Sequence, residues 1–121
     1  MTKTDYIYKI FENEDQFQAA TYLYINNNYP SLRRLIFHVP NEGARSKAEA
    51  IKLKSMGVIA GIPDLILLKP LCGIELKMER GIVSASQKEI HAWWGENGIP
   101  VYICWNAEDV CNLIESIMPK P

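Results

Sequence analysis

Gly61-Ile-Pro-Asp-Leu-Ile-Leu-Leu-Lys-Pro-Leu-Cys-Gly-Ile-Glu-Leu-Lys77 is the stretch that decides the fold. Two apolar runs, 65–68 and 73–76, lie on either side of a Lys-Pro-Leu interruption, and this arrangement predicts a β-hairpin. Asp64 stands directly before the first strand. Glu75 and Lys77 stand two residues apart in the second, so the alternation of a strand points both side chains to one face.

The register of the hairpin decides whether Asp64 shares that face. A two-residue connection, Lys69-Pro70, places Asp64 opposite Glu75, and a four-residue connection places it opposite Lys77. A three-residue connection turns Asp64 to the other face. Taken singly, Asp64 is also explained by a strand-entry turn, and Glu75 and Lys77 by a solvent-exposed edge strand.

Two carboxylates held on one face favour a hard cation. Like charges at cross-strand distance repel, and without a cation one carboxylate would take up a proton. Oxygen ligands without His or Cys select Mg²⁺, Mn²⁺ or Ca²⁺ over zinc or copper. The ammonium of Lys77 beside them suits a group that orients water or stabilises charge on a phosphate.

The remaining elements follow from caps and periodicity. A helix is predicted from Asn13 to the Asn26–Asn28 run, with one apolar face. The order αβαββαβα predicts an α/β fold, a mixed sheet flanked by helices. We expect a single domain over residues 1–121, with its core at about 12–118. The apolar face of the first helix comprises Phe17, Ala20, Leu23 and Tyr24. The other predicted elements are a strand at 35–39, a helix between Ser46 and Gly57, a helix from Ser86 to about Gly95, a strand at 101–105 and a helix from Asn106 to about Met118.

The charge of the chain limits how it could bind a nucleic acid. The net charge of −1 gives no global positive field, so a nucleic acid would be held by a local patch or through a metal. A solvated face is the favoured explanation of Lys52 and Lys54. The basic residues that could contact phosphates are Arg33, Arg34, Arg45, Lys47, Lys52 and Lys54.

Other features argue against a secreted, membrane or nucleotide-binding protein. The 3 cysteines lack the spacing of a zinc site and are predicted to be buried thiols in a reducing cytoplasm. No apolar segment predicts secretion or membrane insertion. The P-loop pattern is missing, so no nucleotide cofactor is expected.

The residues match a known nuclease pattern. Pro63-Asp64 and the later Glu75-Leu-Lys77 resemble the PD-(D/E)xK nuclease motif. The flanking segments 38–45, 57–65, 81–87 and 98–102 resemble the VRR-NUC subfamily in order and spacing, and the resemblance extends from about Glu14 to Asp109. It implies a stand-alone VRR-NUC domain of the small phage or bacterial type, with a restriction-endonuclease-like fold, in the cytoplasm of a bacterial or phage-infected cell.

The resemblance also implies roles for residues. Asp64 and Glu75 would be ligands of Mg²⁺ or Mn²⁺, with the Leu76 backbone carbonyl as a third, and Lys77 would be the catalytic lysine. Gln87 would support the lysine or the phosphate. The family's acidic residue in the first helix corresponds best to Glu14, as a catalytic residue and a metal ligand, with Glu12 or Asp15 as alternatives. The residues expected to bind DNA are Asn41, Arg45, Lys47, Arg33 and Arg34.

The expected function is a metal-dependent DNA endonuclease that is selective for branched or junction DNA. A compact nuclease needs two sites to cut both strands, so we expect a homodimer, with Trp93 or Trp94 at its interface. One alternative is a non-catalytic DNA-binding or assembly module that keeps the fold. Another is a metal-free hydrolase of a non-nucleic substrate that uses the Asp64 and Glu75 pair as acid and base. His38 and His91 are not needed by the metal mechanism and are interpreted as structural.

Overall fold

Four strands form one mixed sheet in the computed structural model, which describes residues 1–40 and 46–118. The strands lie in the order β1-β2-β3-β4, with the first three antiparallel and β3 parallel to β4. The strands are β1 (Ile36–Phe37), β2 (Leu65–Leu68), β3 (Leu71–Leu76) and β4 (Val101–Cys104), and the helices are α1 (Lys3–Ile7), α2 (Glu14–Asn28), α3 (Lys47–Ser55), α4 (Ala85–Glu96) and α5 (Ala107–Ile117).

The predicted α/β class and mixed sheet are confirmed, with two added short elements. The sequence prediction missed α1, a helix of 5 residues capped by the Thr2 side chain. So short a helix has too few residues to show an apolar period. A 3-10 turn at Pro30–Leu32 also joins α2 to the chain before β1.

The hairpin has the two-residue connection. Leu68 pairs with Leu71 and Leu65 with Ile74, so the register places Asp64 opposite Glu75. β3 lies between β2 and β4, and from Cys72 onward all its residues are buried. The explanation of Glu75 and Lys77 as part of an exposed edge strand is therefore wrong.

Three of the predicted helix caps are confirmed and one is wrong. Asn13, Ser46 and Asn106 each accept a backbone hydrogen bond at a helix start. Ser86 does not cap α4, because Ser84 does so in a reciprocal capping box with Gln87. Both serines precede a Gln or Glu by three residues, so the pattern alone could not choose between them. The shift moves Gln87 from the first to the third position of α4.

The core lies between the sheet and the helices α1, α2 and α5. Tyr6 stacks on Tyr24 with ring centroids 4.5 Å apart, and its hydroxyl lies 2.6 Å from Thr21 Oγ1. The prediction that Leu23 faces this core is wrong, since it is 48% exposed while Thr21 is buried. Successive residues of a helix point about 100° apart, so Leu23 points outward when Phe17 and Tyr24 face the core. All three cysteines are buried, as predicted.

Among residues 1–40 and 46–118, no helix has the length and apolar character needed to cross a membrane.

Candidate active site

Asp64, Glu75 and Lys77 meet at one end of the β2–β3 hairpin. Asp64 directly precedes β2, Glu75 lies in β3, and Lys77 directly follows it. Glu75 is 1% exposed and Lys77 is 7% exposed, whereas Asp64 is half-buried. Burying two charged side chains is costly unless other groups compensate them. The groups around each residue therefore indicate which kind of ligand the cluster could bind.

Asp64 is held at its carboxylate and at its backbone. Leu76 donates its backbone N–H to Asp64 Oδ2 at 2.7 Å. This bond continues the hydrogen bonding between the two strands beyond their last backbone pair. The His38 Nδ1 atom lies 2.6 Å from the Asp64 carbonyl oxygen. His38 was interpreted as structural from the sequence, and in the structure it lies against the backbone of Asp64.

Glu75 is paired through one oxygen and unpaired through the other. Gln87 donates from Nε2 to Glu75 Oε2 at 3.3 Å. Glu75 Oε1 is buried and has no hydrogen-bond partner. Burial raises the pKa of Glu75 to about 9, the nearby Asp64 carboxylate raises it further, and Lys77 opposes the shift. Without a cation, these surroundings therefore favour the protonated form of Glu75.

His91 lies beside the unpaired oxygen. Its Nε2 atom is 3.5 Å from Glu75 Oε1, and it also has no hydrogen-bond partner. Burial lowers the pKa of His91, and the nearby Lys77 charge lowers it further. This contact was not predicted from the sequence. The signal was available, because His91 follows Gln87 by four residues and so lies on the same face of α4.

Lys77 faces the first acidic residue of α2. Its Nζ atom lies 3.9 Å from Glu14 Oε1, a long ion pair in which the Glu14 side chain is 45% exposed. The Lys77 backbone N–H donates to the Cys104 carbonyl at 3.0 Å and thereby continues the pairing of β3 with β4. The structure thus brings together five of the residues singled out from sequence, namely Asp64, Glu75, Lys77, Gln87 and Glu14.

The donor set fits a hard divalent cation. Two adjacent carboxylates, one with an unpartnered oxygen and a strongly raised pKa, are groups that such a cation would stabilise. Within the described ranges 1–40 and 46–118, however, no three His, Cys, Asp or Glu side chains are grouped closely enough to hold a metal. Water or backbone carbonyls would have to complete the coordination.

A polar cleft of about 310 Å³ lies beside Asp64. The loop before β2, the start of α4 and His38 line this cleft. At Gly61, which has φ +89°, a Cβ atom would lie 2.4 Å from the Ser86 carbonyl oxygen. Glycine is needed there for the loop to approach α4 this closely. The lining includes Ala60, Gly61, Asp64, Ser86 and Gln87.

Of the residues expected to bind DNA, two lie outside the described residues and three are exposed. Asn41 and Arg45 lie outside the described residues. Lys47, at the start of α3, is exposed. Arg33 and Arg34 are also exposed, but Arg33 donates from Nε to the Asn26 carbonyl at 2.8 Å, which anchors it to the end of α2.

Comparison with solved structures identifies the fold of this chain. The chain is similar to a solved "VRR_NUC domain protein" with a TM-score of 0.75 and 24% sequence identity, over 91% of this chain and 91% of the other. It therefore has the VRR-NUC fold. No family model and no curated protein sequence matches the chain.

Proposed function

We propose that the protein is a divalent-metal-dependent endonuclease that hydrolyses phosphodiester bonds of DNA. The observation that carries this proposal is the buried Glu75 carboxyl, which has one unpartnered oxygen beside Asp64 and a neighbouring buried amine from Lys77. An acid–base pair would not need the lysine, and a structural ion pair would leave no oxygen unpaired. The shared fold with a VRR_NUC domain protein supports the same conclusion.

Asp64 and Glu75 would hold Mg²⁺ or Mn²⁺, with the Leu76 carbonyl as a third ligand. The bound cation would supply Lewis-acid activation of the phosphate and of a water molecule. Leu76 fixes the Asp64 carboxylate through its backbone N–H, and Gln87 fixes one oxygen of Glu75.

The role of Lys77 follows from its position. Its stem is buried and its ammonium lies near Glu14, so the charge is held in place and partly shielded from water. A fixed ammonium stabilises the negative charge that builds on the phosphate in the transition state. Glu14 orients this ammonium and could also contribute a ligand oxygen.

Substrate binding would use the polar cleft and the exposed cations near it. With a net charge of −1, the chain would hold DNA by local contacts from Arg33, Arg34, Lys47 and, by the resemblance, Asn41 and Arg45. Branched or junction DNA is the expected substrate. Cutting both of its strands needs two active sites, so the active form would be a homodimer.

Trp93 is 63% exposed on α4 and is a suitable apolar residue for that dimer interface. Sedimentation of the wild type at micromolar concentration should show a dimer, and Trp93→Ala should shift it toward monomer. A wild type that sediments as a monomer would contradict the dimer and leave the catalytic proposal standing.

The decisive experiment is a cleavage panel with labelled junction, flap, duplex and single-stranded DNA in Mg²⁺, Mn²⁺ or EDTA. Lys77→Met keeps the buried methylene packing and removes the ammonium, and we expect it to lower the cleavage rate by about 100-fold or more. Lys88→Ala is the matched control, since Lys88 is an exposed lysine on α4.

Three outcomes would contradict the proposal. Full activity in EDTA would favour metal-free acid–base hydrolysis. DNA binding without cleavage, tolerant of Glu75→Gln, would indicate a binding module. Cleavage that survives Lys77→Met combined with Asp64→Asn would place the active site elsewhere.

A further inference from the structure

The helix α4 reaches Glu75 with two side chains. Gln87 and His91 are one helical turn apart on the same face. The Gln87 Nε2 atom lies 3.3 Å from Glu75 Oε2, and the His91 Nε2 atom lies 3.5 Å from Glu75 Oε1. Each oxygen of the carboxyl group therefore faces one nitrogen from α4.

The second of these contacts is incomplete. Glu75 Oε1 and His91 Nε2 are both buried, and neither has a hydrogen-bond partner. Buried polar atoms without partners are rare and destabilising. Their separation of 3.5 Å is slightly beyond the usual hydrogen-bond range, so a small side-chain movement would join them.

We propose that His91 is a positioning residue whose Nε2 atom hydrogen-bonds to Glu75 Oε1. The orientation of Glu75 toward a cation rests on the proposed function, whereas the contact between the two side chains does not. Gln87 and His91 then hold both oxygens from one rigid helix. This orients the carboxylate toward the cation that it shares with Asp64.

Substitutions at His91 separate this role from simple packing. His91→Phe keeps a ring of similar shape and removes the donor. His91→Gln keeps an N–H donor of similar reach and loses the ring. Glu89→Gln changes an exposed residue on the same helix and is the control. If His91→Phe does not fold, His91→Met removes the donor with a more adaptable side chain.

The first measurement is Mn²⁺ affinity by calorimetry, without DNA. Loss of a hydrogen bond that orients a metal ligand weakens metal binding by about 10- to 100-fold, so we expect that loss for His91→Phe. His91→Gln should recover most of the affinity, and Glu89→Gln should match the wild type. Wild-type affinity in His91→Phe, or equal losses in the Phe and Gln variants, would overturn the proposal.

The second measurement needs no metal. Urea unfolding in EDTA of Glu75→Leu, His91→Phe and the double variant tests whether the two side chains are energetically coupled. We expect non-additive effects, and additive effects would overturn the contact. A wild type that binds Mn²⁺ but cuts no DNA would defeat the proposed function alone. A wild type that binds no Mn²⁺ would contradict both the proposed function and the orientation of Glu75 toward a cation. The urea experiment alone would then show whether His91 and Glu75 interact.

Discussion

Asp64 Oδ2 accepts the backbone N–H of Leu76 at 2.7 Å, so a side chain completes the hairpin where strand pairing ends. The carboxylate therefore has two separable roles, one in the fold and one in the proposed metal site. Its second oxygen and its charge are available to a cation.

Asp64→Asn should separate those roles. The amide oxygen of Asn can still accept from Leu76, whereas the negative charge is lost. We expect Asn to keep wild-type stability within about 0.5 kcal/mol and Ala to cost about 1–3 kcal/mol, since a backbone donor is then left unpaired. Both variants should lose metal-dependent cleavage. Urea unfolding and cleavage assays give the two readouts, and an active Asp64→Asn variant would remove Asp64 from the catalytic site.

The metal-free protein should lose stability as the pH rises from 7 to 8. The pKa of Glu75 is raised from its ordinary 4.5 to about 9, so between these values the folded state binds a proton that the unfolded state has released. That contribution is complete below pH 4.5 and is lost as the pH rises through 9.

The window from pH 7 to 8 isolates this effect. The lowered pKa of His91 acts in the opposite sense below about pH 6.5, and the raised pKa values of the buried cysteines add to it near pH 9. Unfolding should be measured in EDTA, and Glu75→Gln should flatten the slope. An unchanged slope in Glu75→Gln would show that this carboxyl is not the titrating group.

Glu14→Gln should lower cleavage by less than Lys77→Met does. The 3.9 Å pair orients Lys77, but the Glu14 side chain is 45% exposed, so water screens part of the interaction. Asp15→Asn removes a second acidic charge from the first turn of α2 and controls for the helix dipole. Equal cleavage rates in the Glu14 and Asp15 variants would show that the Lys77 contact has no catalytic effect.

Gly61→Ala should destabilise the protein more than Gly57→Ala. Both glycines have positive φ, so each substitution carries a backbone cost of about 1–2 kcal/mol. A Cβ on Gly57 meets nothing within 4 Å, whereas on Gly61 it would overlap the Ser86 carbonyl at 2.4 Å. Thermal unfolding of the two variants measures the difference. Equal melting temperatures would show that the loop can move away from α4.

The sequence alone determined the types and order of the main elements. Local caps and turn residues mark where these elements begin and end, because their effects act over a few residues. Asn13, Ser46 and Asn106 were identified in this way. The same locality explains the error at α4, where Ser84 and Ser86 carry equivalent spacings and only packing decides between them.

The pairing of Asp64 with Glu75 was one of three registers that the sequence allowed. Its choice depends on strands that bury their apolar faces against helices far away in the chain. Tertiary structure also decided the burial of Glu75 and Lys77, since side chains of α4 and α2 lie against them.

The contacts of Glu75 with His91 and of Lys77 with Glu14 join α4 and α2 to the end of β3. Residue types and spacing made Asp64, Glu75 and Lys77 candidates for a metal site. Only the folded chain decided which atoms surround them, because the distances between separate elements depend on how the whole core packs.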